Sequence, residues 1–228
     1  MDYDIPTARG FVAYAPANVR AEFIRKVYNL FFVSILVTVG VGAFCAQPTV
    51  APAMLGMLPA LLIGGFLIGI IMAFARRTTG LNVLLFYLYS AIQGAILGPV
   101  LTLLNQAAPG VPTQAAVLTA VVFGGLSLYA IQSGKDFSFL GGLLFAGIIG
   151  LVVAGIVMWF VHSSLLHTLY AFLGVLIFSG YILYDTSQIM KRLGPEEAIA
   201  GAISLYLDLL NLFWFILQLL MELNNRRD

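Results

Sequence analysis

The chain has 228 residues, 61% of them hydrophobic and 9% charged, with a mean hydropathy of +1.00. Soluble domains carry about 25% charged residues, so the composition is that of an integral membrane protein. A formal net charge of +1, with no basic run and no acidic tail, argues against a nucleic-acid partner.

Residues 1–26 are polar and read as a cytoplasmic N-terminal segment. The apolar run that follows has no small-x-small cleavage site, so it is expected to be a retained span rather than a signal peptide. Cys45 lies in that span. As the sole cysteine it cannot form an internal disulfide, and Phe44 before it argues against lipoprotein processing. Seven windows are long enough to cross a bilayer as helices, near 27–46, 53–75, 81–104, 113–132, 137–160, 167–190 and 199–221. Turn residues separate several of them: Gln47-Pro48, the run Ala108 to Pro112, Ser133-Gly134 and Gly194-Pro195. Pro59 and Pro99 are expected to kink the second and third spans. The sequence thus predicts an all-α, seven-span domain over 27–221 and a short C-terminal tail over 222–228.

Lysine and arginine set the orientation. Arg9, Arg20, Arg25, Lys26, Arg76, Arg77, Lys135, Lys191 and Arg192 fall on one side, nine of the eleven basic residues; Arg226 and Arg227 are the others. The N-terminus is therefore expected in the cytoplasm and the C-terminus outside.

Two aspartates stand within apolar spans: Asp185 in the sixth and Asp208 in the seventh. A carboxylate at membrane depth costs at least ~2.5 kcal/mol on the insertion scale, so such a residue points to function. By helical rise they lie roughly 9 and 13 Å from the cytoplasmic ends of their spans, and can face each other across a hairpin. Two close carboxylates in a low dielectric cannot both ionise easily, so they are expected to share a proton and titrate as a pair. Ser204, Asn211, Gln218 and Glu222 continue the Asp208 face at helical spacing, a polar stripe suited to a bundle interior or hydrated pathway. Tyr181 and Gln188 extend the Asp185 face. The bland alternative is that such groups only hydrogen-bond between helices. Asn82 and Gln93 are read in that way, and Gly65/Gly69 and Gly94/Gly98 have the small-xxx-small spacing of close helix contacts. His162 and His167 are placed in the outer connection between spans five and six, without a third ligand for a metal site.

The segments YILYDTSQIM and AISLYLDLLNLF resemble the closing signature of the Bax inhibitor-1 family, also called the transmembrane BAX inhibitor motif family. The loop Lys135 to Leu140 and the run from AFARR through FYLYSAIQGAILGP are similar to the same family, so the resemblance covers nearly the whole chain. It implies seven helices with the last near the centre of the bundle. It also implies a pH-dependent calcium leak of the membrane, with no cofactor and no catalysis. Asp185 and Asp208 would be its di-aspartyl sensor and calcium contacts, and Ser204, Asn211, Gln218 and Glu222 would line the path. An arginine latch falls on Arg76 by ungapped spacing to Tyr87, Gly94 and Pro99, with Arg77 adjacent. A bacterial inner membrane is the expected location. The tail NNRRD is short and weakly basic, unlike that of eukaryotic members.

Two other classes compete. Intramembrane aspartyl proteases pair a Tyr-Asp with a Gly-x-Gly-Asp; Tyr184-Asp185 matches the first, but Leu205-Tyr206-Leu207-Asp208 stands where the second belongs. A regulator that binds other membrane proteins without passing ions is the remaining alternative. A retinal receptor is excluded, because the seventh span has no lysine.

Overall fold

The computed structural model describes residues 10–74, 79–161 and 163–225. Among these there is no strand. Eight α-helices follow in order: α1 (Ala17–Cys45), α2 (Ala51–Gly56), α3 (Leu58–Phe74), α4 (Thr79–Ala107), α5 (Val111–Ser133), α6 (Gly141–Met158), α7 (Ser164–Lys191) and α8 (Ala198–Asn225). Six are long and apolar enough to cross a membrane, namely α1, α4, α5, α6 with its preceding turn, α7 and α8. The chain is an all-helical integral membrane protein.

Two of the expected boundaries shift. Helix α1 begins at Ala17, inside the segment read as a polar tail, because Phe23, Val27 and Phe31 repeat every fourth residue and are buried on one face. The second expected span is divided into α2 and α3 at Met57. Pro59 explains the break: it has no N–H for the Leu55 carbonyl, and its ring crowds that turn. Helix α3 alone, with 17 residues, is about 26 Å long, short of a ~30 Å hydrocarbon core. Pro99, by contrast, lies inside an unbroken α4.

The described residues form two compact units, Arg25–Pro109 and the remainder. In the first, α3 and α2 pack on α4, and α1 meets α4 where Gly42 faces Gly94 and Gly98. The missing side chains let the backbones touch: a Cβ on Gly94 would stand 2.5 Å from the Thr38 carbonyl oxygen, and one on Gly98 would overlap the Gly42 carbonyl. One turn away, the Thr38 hydroxyl shares its bonding between the Ser34 carbonyl of its own helix (2.9 Å) and the Ser90 carbonyl of α4 (3.1 Å). Gly65 and Gly69 make only ordinary contacts with α4. Asn82 is buried, and Gln93 bonds Tyr89 one turn back on its own helix.

In the second unit α8 packs against both α5 and α7, and α6 packs against α7. Gly110 (φ +83°) and Gly134 (φ +59°) bracket α5 in the left-handed region that glycine tolerates best, in keeping with their turn positions. The loop after α5 is clipped to the end of α7. Phe137 N–H donates to Ser187 Oγ (3.0 Å), Lys191 Nζ to the Gly134 carbonyl (2.7 Å), and Arg192 to Asp136 (3.1 Å) and Ser138 Oγ (2.8 Å). The Ser138 backbone N–H, its hydroxyl and the Arg192 guanidinium hold the Asp136 carboxyl down at about 2, so this clip stays charged at ordinary pH. Val12 N–H adds a bond to the Leu193 carbonyl (2.8 Å). Together these contacts fix the end of α7 from which Asp185 is less than two turns removed.

Candidate functional site

Asp185 projects from α7 and Asp208 from α8, the hairpin whose short connection, Arg192–Glu197, is closed by a bond from Gly194 N–H to the Glu197 carboxylate (2.7 Å). That connection holds the helices antiparallel at matching depth. The two carboxyls come into hydrogen-bonding contact, and Ser204, one turn before Asp208, also bonds Asp185. Asp208 is 4% exposed, and among the described residues no donor faces its Oδ2. Ionised carboxylates only accept hydrogen bonds, so a bond between the two carboxyls forms only while one of them holds a proton.

The pair opens on a cavity of about 470 Å³ between α6, α7 and α8. Ile148, Leu151 and Val152 form its α6 wall; Tyr170, Tyr181, Ser204 and Asn211 supply its other polar groups. Asn211 donates from Nδ2 to the Leu207 carbonyl (2.8 Å), leaving its side-chain oxygen to accept. A second cavity of about 460 Å³ adjoins it along Leu151, Val152 and Tyr170, and holds Gln218 and His167.

The predicted stripe is thus divided. Ser204, Asp208 and Asn211 join Asp185 in the first cavity, Gln218 sits in the second, and Glu222, partly exposed in the last turns of α8, lines neither. Of the α7 face, Tyr181 lies in the first cavity, while Gln188 is half-buried, its Nε2 enclosed and without a hydrogen-bond partner among the described residues. Arg76 and Arg77, the latch candidates, lie outside the described residues, as does His162. His167 departs from expectation: it is within α7, its Nδ1 2.9 Å from the Ser163 carbonyl, and it lines a cavity rather than a loop. Sequence reasoning missed the aromatic residues around the site. Tyr170, Phe178 and Asp185 share one α7 face by helical spacing, and Phe215 stands two turns beyond Asp208, but aromatic residues on a membrane helix look like lipid-facing or packing positions. Among the described residues no group of three or more His, Cys, Asp or Glu gathers as a metal cage.

The fold and the site define an all-helical membrane protein with a buried carboxyl pair on its last helical hairpin. Residues 20–226 match the family described as inhibitor of apoptosis-promoting Bax1. The chain is 35% identical to protein lifeguard 4 of Mus musculus over 219 residues, covering 94% of this chain and 91% of that one. It is 33% identical to the Golgi anti-apoptotic protein of vaccinia virus (strain Lister), covering 95% and 91%, and 33% identical to Bax inhibitor 1 of Schizosaccharomyces pombe, covering 94% and 81%. The chain belongs to the Bax inhibitor family.

Proposed function

We propose that this protein is a pH-dependent calcium leak of a bacterial inner membrane, not an enzyme, with Asp185 and Asp208 as its proton-sharing sensor. The observation that carries this reading is the contact between two carboxyls that line a cavity, otherwise mostly apolar, on two spanning helices. Oxygen ligands suit calcium, which takes 6–8 of them. The two carboxyls, the Ser204 hydroxyl and the Asn211 side-chain oxygen supply some of these and leave the rest to water. Such a partial shell favours passage over storage. Gln218 and Glu222 would continue the path along α8. Liposomes carrying the protein and an internal calcium dye should take up calcium faster than empty liposomes. Equal rates at every pH from about 6 to 8 would remove the leak.

The vaccinia relative is named an anti-apoptotic protein, which favours as a second reading a regulator that acts by binding other membrane proteins. That outcome would follow from the equal rates just described.

The reading carries with it seven spans, with α2 and α3 counted together as the second and α8 as the central helix the resemblance implies. The basic residues then put the N-terminus in the cytoplasm and the C-terminus outside. A reporter fused at Asp228 should be active only outside; cytoplasmic activity would mean that α2–α3 does not cross.

A further inference from the structure

Between the two cavities lies a group of aromatic rings. Phe215 of α8 stacks on Phe178 (5.6 Å between centroids, 23° between planes) and meets Tyr170 (5.4 Å, 60°). Glycines seat both partners. A Cβ on Gly174 of α7 would run into the Phe215 ring, and one on Gly155 of α6 would stand 3.3 Å from the Tyr170 hydroxyl. Tyr170 belongs to both cavities, whereas Phe215 lines only the first, seven residues and about 10 Å along α8 from Asp208. Beyond it lie Gln218 and His167. The polar groups on α8 are thus interrupted at one level, where the facing surfaces are Phe215, Tyr170, Leu151 and Val152. A hydrated cation leaving the carboxyl pair meets a mostly apolar level there, with the Tyr170 hydroxyl, set against Gly155, as its single side-chain oxygen, and an apolar constriction gates by excluding water.

We propose that Phe215, held on Gly174 and against Tyr170, is the apolar barrier that separates the aspartate cavity from the His167 cavity and sets the resting rate of cation passage. The proposal rests on the leak reading for its consequence, but the barrier itself can be read without calcium. Phe215 is a rate-determining residue here, distinct from the carboxyls that take the proton. Replacing it with alanine joins the two cavities. Gly174→Ala keeps the ring but removes its seat, and so should act in the same direction.

Two readouts test this. In liposomes at one fixed pH, Phe215→Ala and Gly174→Ala should each admit calcium about tenfold faster than wild type, the change expected when ~1.4 kcal/mol is removed from a barrier. Separately, Asn211→Cys in a Cys45→Ala background supplies a single thiol in the aspartate cavity. In oriented membrane vesicles, a charged, membrane-impermeant thiol reagent added on the His167 side should label it slowly, and about tenfold faster once Phe215→Ala is added. Faster labelling with no calcium entry in any variant would sustain the barrier and end the leak reading. Unchanged labelling, or a leaking wild type matched in rate by both variants, would overturn the barrier. Should Phe215→Ala fail to fold, Gly174→Ala carries both readouts by itself.

Discussion

Replacing Asp208 with leucine should leave the protein at least as stable as before while removing its pH-dependent calcium passage. Asp208 is almost fully buried and its Oδ2 faces no donor among the described residues, a situation that costs about 1–3 kcal/mol in a folded protein. Leucine removes that cost, and the neighbouring cavity of about 470 Å³ gives room to the two methyl groups, bulkier than the oxygens they replace. The expected result is therefore a gain or no loss in thermal stability in detergent, together with calcium entry that no longer responds to pH. Residues kept for function at the expense of stability behave in this way. If the carboxyls were only interhelical glue, the opposite would hold: breaking the contact would cost about 1–2 kcal/mol, and ion passage would be indifferent. A destabilised Asp208→Leu protein with an unaltered flux would decide for glue.

The second large effect concerns the α1–α4 crossing. Gly98→Leu should lower stability by several kcal/mol, because the obstacle is the Gly42 carbonyl and not a side chain that can turn away. Overpacking against adaptable neighbours costs about 1–3 kcal/mol, and here the two helices must separate. The control is Gly64→Ala on α3, where a methyl meets nothing within 4 Å. That change should be neutral or stabilising by up to ~1 kcal/mol, since alanine loses less backbone freedom in a helix. Melting temperatures of the two variants, measured side by side in detergent, decide the matter. A Gly98→Leu protein that melts with the Gly64→Ala control would show that the two backbones do not touch.

Much of this architecture is legible in the sequence, and its gaps have physical causes. Apolar windows of membrane length separated by Gly and Pro turns place six helices to within a few residues at most ends. The start of α1 escapes because hydropathy finds apolar length and not helix: Asn18, Arg20 and Glu22 are helix-competent, and the face of Phe23, Val27 and Phe31 is hidden among them. At Pro59 the sequence predicts a bend, yet the helix is broken just before it: Met57 N–H turns back to both the Ala53 (3.1 Å) and Met54 (3.2 Å) carbonyls, and α3 starts afresh at Leu58. The carboxyl pair is readable because an aspartate in an apolar span is too costly to be incidental, and the short α7–α8 connection fixes relative depth. Which glycines approach a backbone is not readable. Gly94 and Gly98 differ from Gly65 and Gly69 only in what lies opposite, and Gly42 is more than 50 residues away in sequence. Gln218 parts from Asn211 for a similar reason. Seven residues of spacing say that they share a helix face, but not that Asn211 lines one cavity and Gln218 another.

The most direct test of the central claim is calcium entry into liposomes between pH 6 and 8, compared for wild type, Asp185→Asn and a variant with both His162 and His167 replaced. Isolated aspartates, with a reference value near 3.9, are silent over this range, while an unperturbed histidine near 6.5 is not. Asparagine keeps the size and hydrogen bonding of Asp185 but cannot exchange the shared proton. The rate should therefore change with pH in wild type and in the histidine variant, and stay flat in Asp185→Asn. The direction of the change tells which effect of protonation dominates, a weaker hold on a passing cation or the release of a basic partner such as Arg76. A histidine variant that loses the pH response while Asp185→Asn keeps it would contradict a di-aspartyl sensor.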